Sequence, residues 1–184
     1  VLDPHGRVEH ELHLVDDGET TWITVEPAST APLVTYLDRM RFMLRVEVAD
    51  RSGEYAVVAE PVPVAHPSLP TYVIPHEFGV LVAGDAASEK YVPLRPDVLV
   101  GREVLVPRGE LLAHLEGGRG AGTWAWEALR VAAGVPRLGL DTDHRTIPQE
   151  LGWVPSAVHL HKGCYRGQET VARVHNLGRP PRRL

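Results

Sequence analysis

The chain holds one cysteine, Cys164, inside the stretch HKGCYRGQE at 161–169. Lys162 and Arg166 flank it two positions away, and Gly163 and Gly167 lie beside them. A thiol kept for packing needs neither cations nor glycines. A thiol used as an anion does: a free cysteine titrates near about 8.5, and nearby positive charge or a helix N-terminus lowers that by one to several units. The result is thiolate at neutral pH, fit to act as nucleophile, redox group or soft-metal ligand. The competing description is an inert buried cysteine, the commoner state of a lone one. The flanking glycines and cations favour the reactive state.

Two elements must position this thiol. Residues 157–161 (AVHLH) alternate as a strand, and Gln168 to His175 reads as a helix with Val171 and Val174 inward and Asn176 to Gly178 as terminator. Cys164 then falls in a strand-to-helix turn, near free N–H groups and the positive end of the helix dipole. Gly163 and Gly167 permit backbone angles or close approaches there that a side chain forbids.

Other constellations carry less. His159 and His161 share a strand face and with Cys164 imitate a metal site, but no second cysteine supports one, so exposed strand histidines are the preferred reading and no metal ligand set is assigned. A Ser-His-Asp hydrolase calls for a G-x-S-x-G elbow, which the chain lacks. GGRGAG at 117–122 lacks the Lys-Ser/Thr ending of a phosphate loop. Asp141-Thr142-Asp143 reads as turn chemistry rather than a cation site. Trp124 and Trp126 read first as core residues.

The remaining sequence supplies a scaffold. Val8, His10, Leu12 and Leu14 alternate as a strand with one buried side, Asp16-Asp17-Gly18 turns, and Trp22 to Val25 pairs back as a hairpin. Ser29 or Thr30 caps a helix with Pro32 in its first turn and Leu33, Tyr36, Leu37 and Met40 on one face. Leu44, Val46 and Val48 return to period two, and Arg51-Ser52-Gly53 turns into a strand from Tyr55 to Ala59. Residues 61–70 are a proline-rich loop. A strand at Glu103 to Val106, a helix at about 109–116, the flexible GGRGAG linker and a helix opened by Thr123 and closed by Gly134 and Pro136 follow. The expectation is an α+β fold of antiparallel sheets with packed helices, in a first unit over 1–98 and a second over 99–184 that carries the cysteine loop; the units can interlock.

At 184 residues, 43% hydrophobic and 23% charged, the chain is ordinary for a globular protein with a real core. No apolar run reaches the roughly 20 residues of a membrane span, and the opening residues do not form a signal peptide. A single cysteine makes no internal disulfide, so a reducing cytoplasm is the simplest location. From Lys162 to Leu184 six basic residues face one acid, against 13 basic and 23 acidic residues elsewhere. This basic end points to an anionic ligand or partner, or to a solvated tail. The chain starts without Met and stops on PPRRL, the pattern of a piece of a longer product.

Lys162 to Glu169 matches the K-G-C-Y-x-G-Q-E signature of the YgfZ family, and Thr170-Val171-Ala172-Arg173 continues it. LRVAAGVPRLGLDTDHRTIPQELGW at 129–153 resembles the segment that YgfZ proteins share with the glycine-cleavage T-protein, an aminomethyltransferase. PHGRVEHELHL near the start looks like the family's P-x-G-R strand. The resemblance implies a tetrahydrofolate-binding fold of interlocked α+β domains around a central channel. It also implies a folate-dependent part in iron–sulfur cluster assembly or repair. Cys164 is then the functional thiol with Lys162 beside it, and Tyr165, Gln168, Glu169 and Arg173 shape its loop. Family members are longer, so an N-terminal portion and a C-terminal β-barrel are expected to be missing from this stretch.

Departures from the T-protein bear on mechanism. Where T-proteins carry adjacent aspartates after a glycine, this chain has Gly6-Arg7-Val8-Glu9-His10. Where they carry a folate-contacting arginine it has Trp126, an aromatic surface for a pterin. These replacements disfavour aminomethyl transfer and leave enzymatic turnover open. Three functions stay in view: a folate-dependent iron–sulfur maintenance factor acting on iron–sulfur proteins, a one-carbon transferase of T-protein type, and a non-catalytic scaffold whose basic end docks a protein or RNA. Nucleic acid is the weakest partner, since no stacking aromatics interleave Arg173 to Arg183.

Overall fold

The computed structural model describes residues 1–60, 71–73, 79–82, 90–93, 101–116, 118 and 120–182, with side chains described outside 71–73, 79–82 and 90–93. The proline-rich loop at 61–70, Gly117, Arg119 and Arg183 lie outside the described residues, as does the expected boundary at 98/99. The chain forms mixed α+β structure in which every strand pair among the described residues is antiparallel. Its contacts gather it into two compact units.

One unit comprises residues 12–74 and 101–123. It opens with a hairpin of β1 (His13–Asp16) and β2 (Thr21–Thr24), with Asp16 opposite Thr21. The turn is set by local chemistry. Asp16 accepts from the Gly18 amide, Asp17 accepts from the Thr20 amide and the Trp22 indole, and Gly18 sits at φ 93°. The Thr21 hydroxyl also donates to Asp16 at 2.6 Å, and such bonds hold both carboxyls below their ordinary titration range, led by Thr21 for Asp16 and by Trp22 for Asp17. Helix α1 (Thr30–Met40) follows a short 3-10 turn and buries Leu33.

The centre of this unit is a three-stranded sheet in which β3 (Tyr55–Glu60) and β4 (Thr71–Val73) flank a later strand, Arg102–Pro107. The central strand buries Val104, Leu105 and Val106 in succession. An unbroken apolar run is what a strand covered on both faces requires. At one end Arg102 lies opposite Glu60 and binds it at 2.8 Å, while His114 reaches the same carboxylate at 2.9 Å from helix α2 (Leu111–Glu116).

The other unit comprises 1–11, 75–100 and 124–184. It contains a hairpin of β5 (Gly79–Val82) and β6 (Lys90–Pro93), which makes the central strand of the first sheet β7. It also contains helices α3 (Thr123–Ala133), α4 (Val154–Ala157) and α5 (Gln168–Leu177). Its buried residues include Ala133, Ile147, Leu151, Trp153, Val154 and Val171. Gly134 at φ 70° ends α3, and Gly178 at φ 68° ends α5, as the sequence indicates. Buried Arg130 ties α3 to the loop after it, donating to Glu127 at 2.6 Å, Asp141 at 2.6 Å and the Val135 carbonyl at 3.1 Å; Arg137 also pairs with Glu127.

Three expected strands change. The alternation over 8–14 becomes a ladder only from His13: Val8 makes an isolated bridge with Leu2, and the amides of Glu9 and His10 bond the Val1 carbonyl. Leu44 to Val48 carries no strand. Residues 157–161 are not a strand either, because α4 runs to Ala157 and turns follow, so His159 and His161 share no strand face. The common reason is that alternation marks a surface that could pair, and pairing needs a neighbouring strand. Trp124 also departs from expectation, since it is exposed rather than core.

Candidate functional site

The signature stretch forms a loop that leads into α5, and its thiol is open to solvent: Cys164 is free and exposed. The loop closes on itself through two reciprocal bonds. The Tyr165 amide donates to the Gln168 side-chain oxygen at 3.0 Å, and the Gln168 amide donates to the Tyr165 carbonyl at 3.2 Å. Both halves restrict the backbone immediately after Cys164. Gln168 therefore acts on the loop itself.

Gly167 stands at the start of α5 with φ 82°, a conformation that side chains rarely adopt. Space forbids a side chain as well. A Cβ there would lie 2.6 Å from the Asp3 carbonyl oxygen and 2.7 Å from the Gly6 Cα. Gly6, at φ 80°, faces the same crowding, with Thr170 Cβ 2.7 Å from its would-be Cβ. The expectation for Gly167 is met. Gly163 differs: its φ is not left-handed, and a Cβ there would meet nothing within 4 Å.

The amino-terminal loop is built to receive this contact. Asp3 accepts from the amides of His5 and Arg7 at 2.8 Å each, and its carbonyl accepts from Gly6. Glu9 then accepts both terminal nitrogens of Arg166, at 3.0 and 3.2 Å. Such a fork-to-carboxylate pair fixes orientation as well as charge. The P-x-G-R segment and the cysteine signature, far apart in sequence, form one contact.

The two cations flanking the thiol thus have other partners. Arg166 is held by Glu9, and the Lys162 ammonium lies 5.0 Å from the centre of the Tyr165 ring. Tyr165 is half-buried, and that burial raises its hydroxyl above its ordinary titration range. Glu169 and Arg173 are exposed on α5, and Trp126 is half-buried on α3. The structure brings Lys162, Tyr165 and Gln168 together around the turn. It records no bond from Trp126 or Arg173 to that turn among the described residues.

Sequence reasoning passed over Gly6 as a contact residue and the Arg166–Glu9 pair. The signal lay in two glycine-containing motifs, PHGR and YRGQ, whose glycines permit a close approach of two backbones. It also passed over the clamp at the basic end. Arg182 donates to Asp143 at 2.7 Å and to buried Glu150 at 2.8 Å, so part of the basic end is neutralised within the fold. Arg182 holds the Asp143 carboxyl well below the usual carboxylate range. Asp141 and Asp143 serve the turns, as expected, with Asp141 accepting from the Arg137 amide and Asp143 from Arg145. No group of three potential metal ligands occurs among the described residues, and no helix there is long and apolar enough to cross a membrane.

No family model matches the chain. Over 79 residues, 42% of this chain, it is 37% identical to an uncharacterized protein of Haemophilus influenzae. Over 60 residues, 32% of this chain, it is 40% identical to the tRNA-modifying protein YgfZ of Colwellia psychrerythraea. A 60-residue match at 40% identity also links it to a putative chloroplastic transferase of Arabidopsis thaliana. These matches take in 27%, 18% and 13% of the three relatives, so the chain spans less than a third of each. The chain therefore bears a partial similarity to YgfZ and to a transferase-like protein.

Proposed function

We propose that this chain is part of a YgfZ-type protein that binds tetrahydrofolate and supports iron–sulfur cluster assembly or repair through Cys164. The observation that carries the reading is the state of the signature loop. Its thiol is exposed while the residues after it are tied down by Gln168, Gly167 and the Arg166–Glu9 pair. A packing cysteine would be buried, and a merely exposed one would not need so constrained a loop. The partial similarity to YgfZ of Colwellia supports the same reading.

Tetrahydrofolate is an anion with a flat aromatic head. Lys162 and Arg173 are exposed cations without a carboxylate partner among the described residues, which suits the glutamyl carboxylates. Tyr165 and Trp126, both half-buried, offer ring faces for the pterin. When bound, the folate supplies a one-carbon carrier. The chain's own part is to hold the thiol in place and present it to a partner. The whole protein's partners in this reading are iron–sulfur proteins in the cytoplasm, and the name of the Colwellia relative adds tRNA modification as a dependent process.

The second reading, a one-carbon transferase, draws on the transferase in the name of the Arabidopsis relative. Against it stands Glu9, the acid near the position of the T-protein aspartates, which is engaged by Arg166. The deciding experiment is complementation. Cys164→Ser in the full-length protein should fold normally and fail to restore iron–sulfur enzyme activity in cells lacking it; full rescue overturns the thiol role. Catalytic turnover of an aminomethyl donor with tetrahydrofolate would instead select the transferase.

A further inference from the structure

The turn over residues 143–150 takes bonds from three directions, all inside the unit that carries the cysteine loop. Arg182 reaches it from beyond α5. Its guanidinium donates twice to Asp143, at 2.7 and 3.1 Å, and twice to Glu150, at 3.0 and 2.8 Å. One of the same nitrogens lies 3.3 Å from the Thr146 hydroxyl. A planar fork can serve two carboxylates at once, where an ammonium acts as a point charge.

The turn is shaped around this cation. Asp143 also accepts from the Arg145 amide and the Thr146 hydroxyl, and Glu150 accepts from the Ile147 amide, so the turn's own donors orient both carboxylates. The Glu150 side chain is only 6% exposed, and a buried carboxylate that loses its cation is costly. Asp143 and Glu150 share one nitrogen of Arg182, which places them close together. Without the guanidinium these two anions repel each other and push the turn open.

Two other groups of the turn face the elements that restrain the cysteine loop. The carbonyl of buried Thr146 accepts from the Val8 amide at 2.8 Å. Val8 adjoins Glu9, whose carboxylate holds both terminal nitrogens of Arg166, two positions from the thiol. Gln149 donates from its side-chain nitrogen to the Val171 carbonyl of α5 at 2.9 Å. The Val171 amide lies 3.4 Å from the Gly167 carbonyl, at the point where the loop enters the helix. A series of direct bonds therefore runs from Arg182 through the turn to both ends of the restraint on Cys164.

We infer that Arg182 is a positioning residue for the Cys164 loop: by holding the 143–150 turn closed, it keeps Val8, Glu9 and the start of α5 where they restrain the backbone after the thiol. Its functional meaning rests on the thiol role proposed above.

Hydrogen exchange on the full-length protein tests this. Arg182→Ala should speed exchange at residues 162–168 about tenfold while the amides of α3 over 127–133 stay near their parent rates. Arg182→Lys keeps a cation beside Glu150, and so keeps the fold should the alanine variant lose it. It should speed the same amides by a smaller factor, since it lacks the fork. In an Arg166→Ala background, Arg182→Ala should add less to exchange at 162–168 than it does in the parent, because the two residues act in series. Unchanged exchange at 162–168, an equal rise in α3, or full additivity with Arg166→Ala would overturn the inference. Full activity of Arg182→Ala in complementation, at equal protein level, would do the same. Full rescue by Cys164→Ser removes the thiol role yet leaves the exchange result standing, so the two failures are told apart.

Discussion

Gly6 and Gly167 meet backbone to backbone: a Cβ on Gly167 would come within 2.7 Å of the Gly6 Cα. This contact joins the start of the chain to the start of α5, and the cysteine loop ends at it. Replacing Gly167 by Ala adds both a steric overlap and an unfavourable backbone conformation, at a cost of about 1–3 kcal/mol for the conformation alone. Thermal unfolding should show a clear loss for Gly167→Ala. Gly163→Ala, with nothing near its Cβ, should stay within about 0.5 kcal/mol of the parent.

The Arg166–Glu9 pair is partly exposed, with side-chain exposures of 40% and 35%. Its worth to stability should therefore be small, about 0–1 kcal/mol in a double-mutant cycle of Arg166→Ala and Glu9→Ala, and smaller in high salt. Its effect on the loop should be larger than its effect on stability. Hydrogen exchange at residues 162–168 is expected to speed up in either single variant while the global midpoint hardly moves.

Cys164 should react with a thiol-specific reagent stoichiometrically in the native protein, since it is exposed. If labelling required denaturant, the open thiol on which the function rests would be wrong. Tetrahydrofolate should slow the labelling in the full-length protein. The anionic ligand also predicts affinity that falls with rising salt, which titration calorimetry reads directly.

Acid should loosen the clamp at the basic end. Arg182, followed by the Arg145 amide, holds the Asp143 carboxyl below its unfolded value. A depressed carboxyl contributes stability that is complete above the unfolded value of about 4 and is lost as pH falls through the folded one. The thermal midpoint should drop on acidification below about pH 4, and Arg182→Ala should flatten that dependence while lowering the midpoint at neutral pH.

Arg130 makes a stronger demand. It is buried and binds Glu127, Asp141 and the Val135 carbonyl. Removing Arg130 takes the buried cation from Glu127 and Asp141 and leaves them, among the described residues, only their contacts with Arg137, so Arg130→Ala should cost about 3 kcal/mol. Denaturant titration measures this.

What the sequence by itself determined was local. Asp16-Asp17-Gly18 makes its turn with its own side chains, α1 forms where its apolar period puts it, α3 and α5 end at the glycines that follow them, and the signature loop stands where its glycines and cations marked it. These features depend on neighbours a few positions away, so residue order suffices to specify them. The tertiary structure decided which groups meet. Arg166 finds a carboxylate 157 positions away, Gly167 packs against Gly6, and the strand-like residues 44–48 and 157–161 pair with no strand among the described residues. Alternation and charge state what a segment could bind; only the folded chain brings a partner within a hydrogen bond's reach, or withholds one.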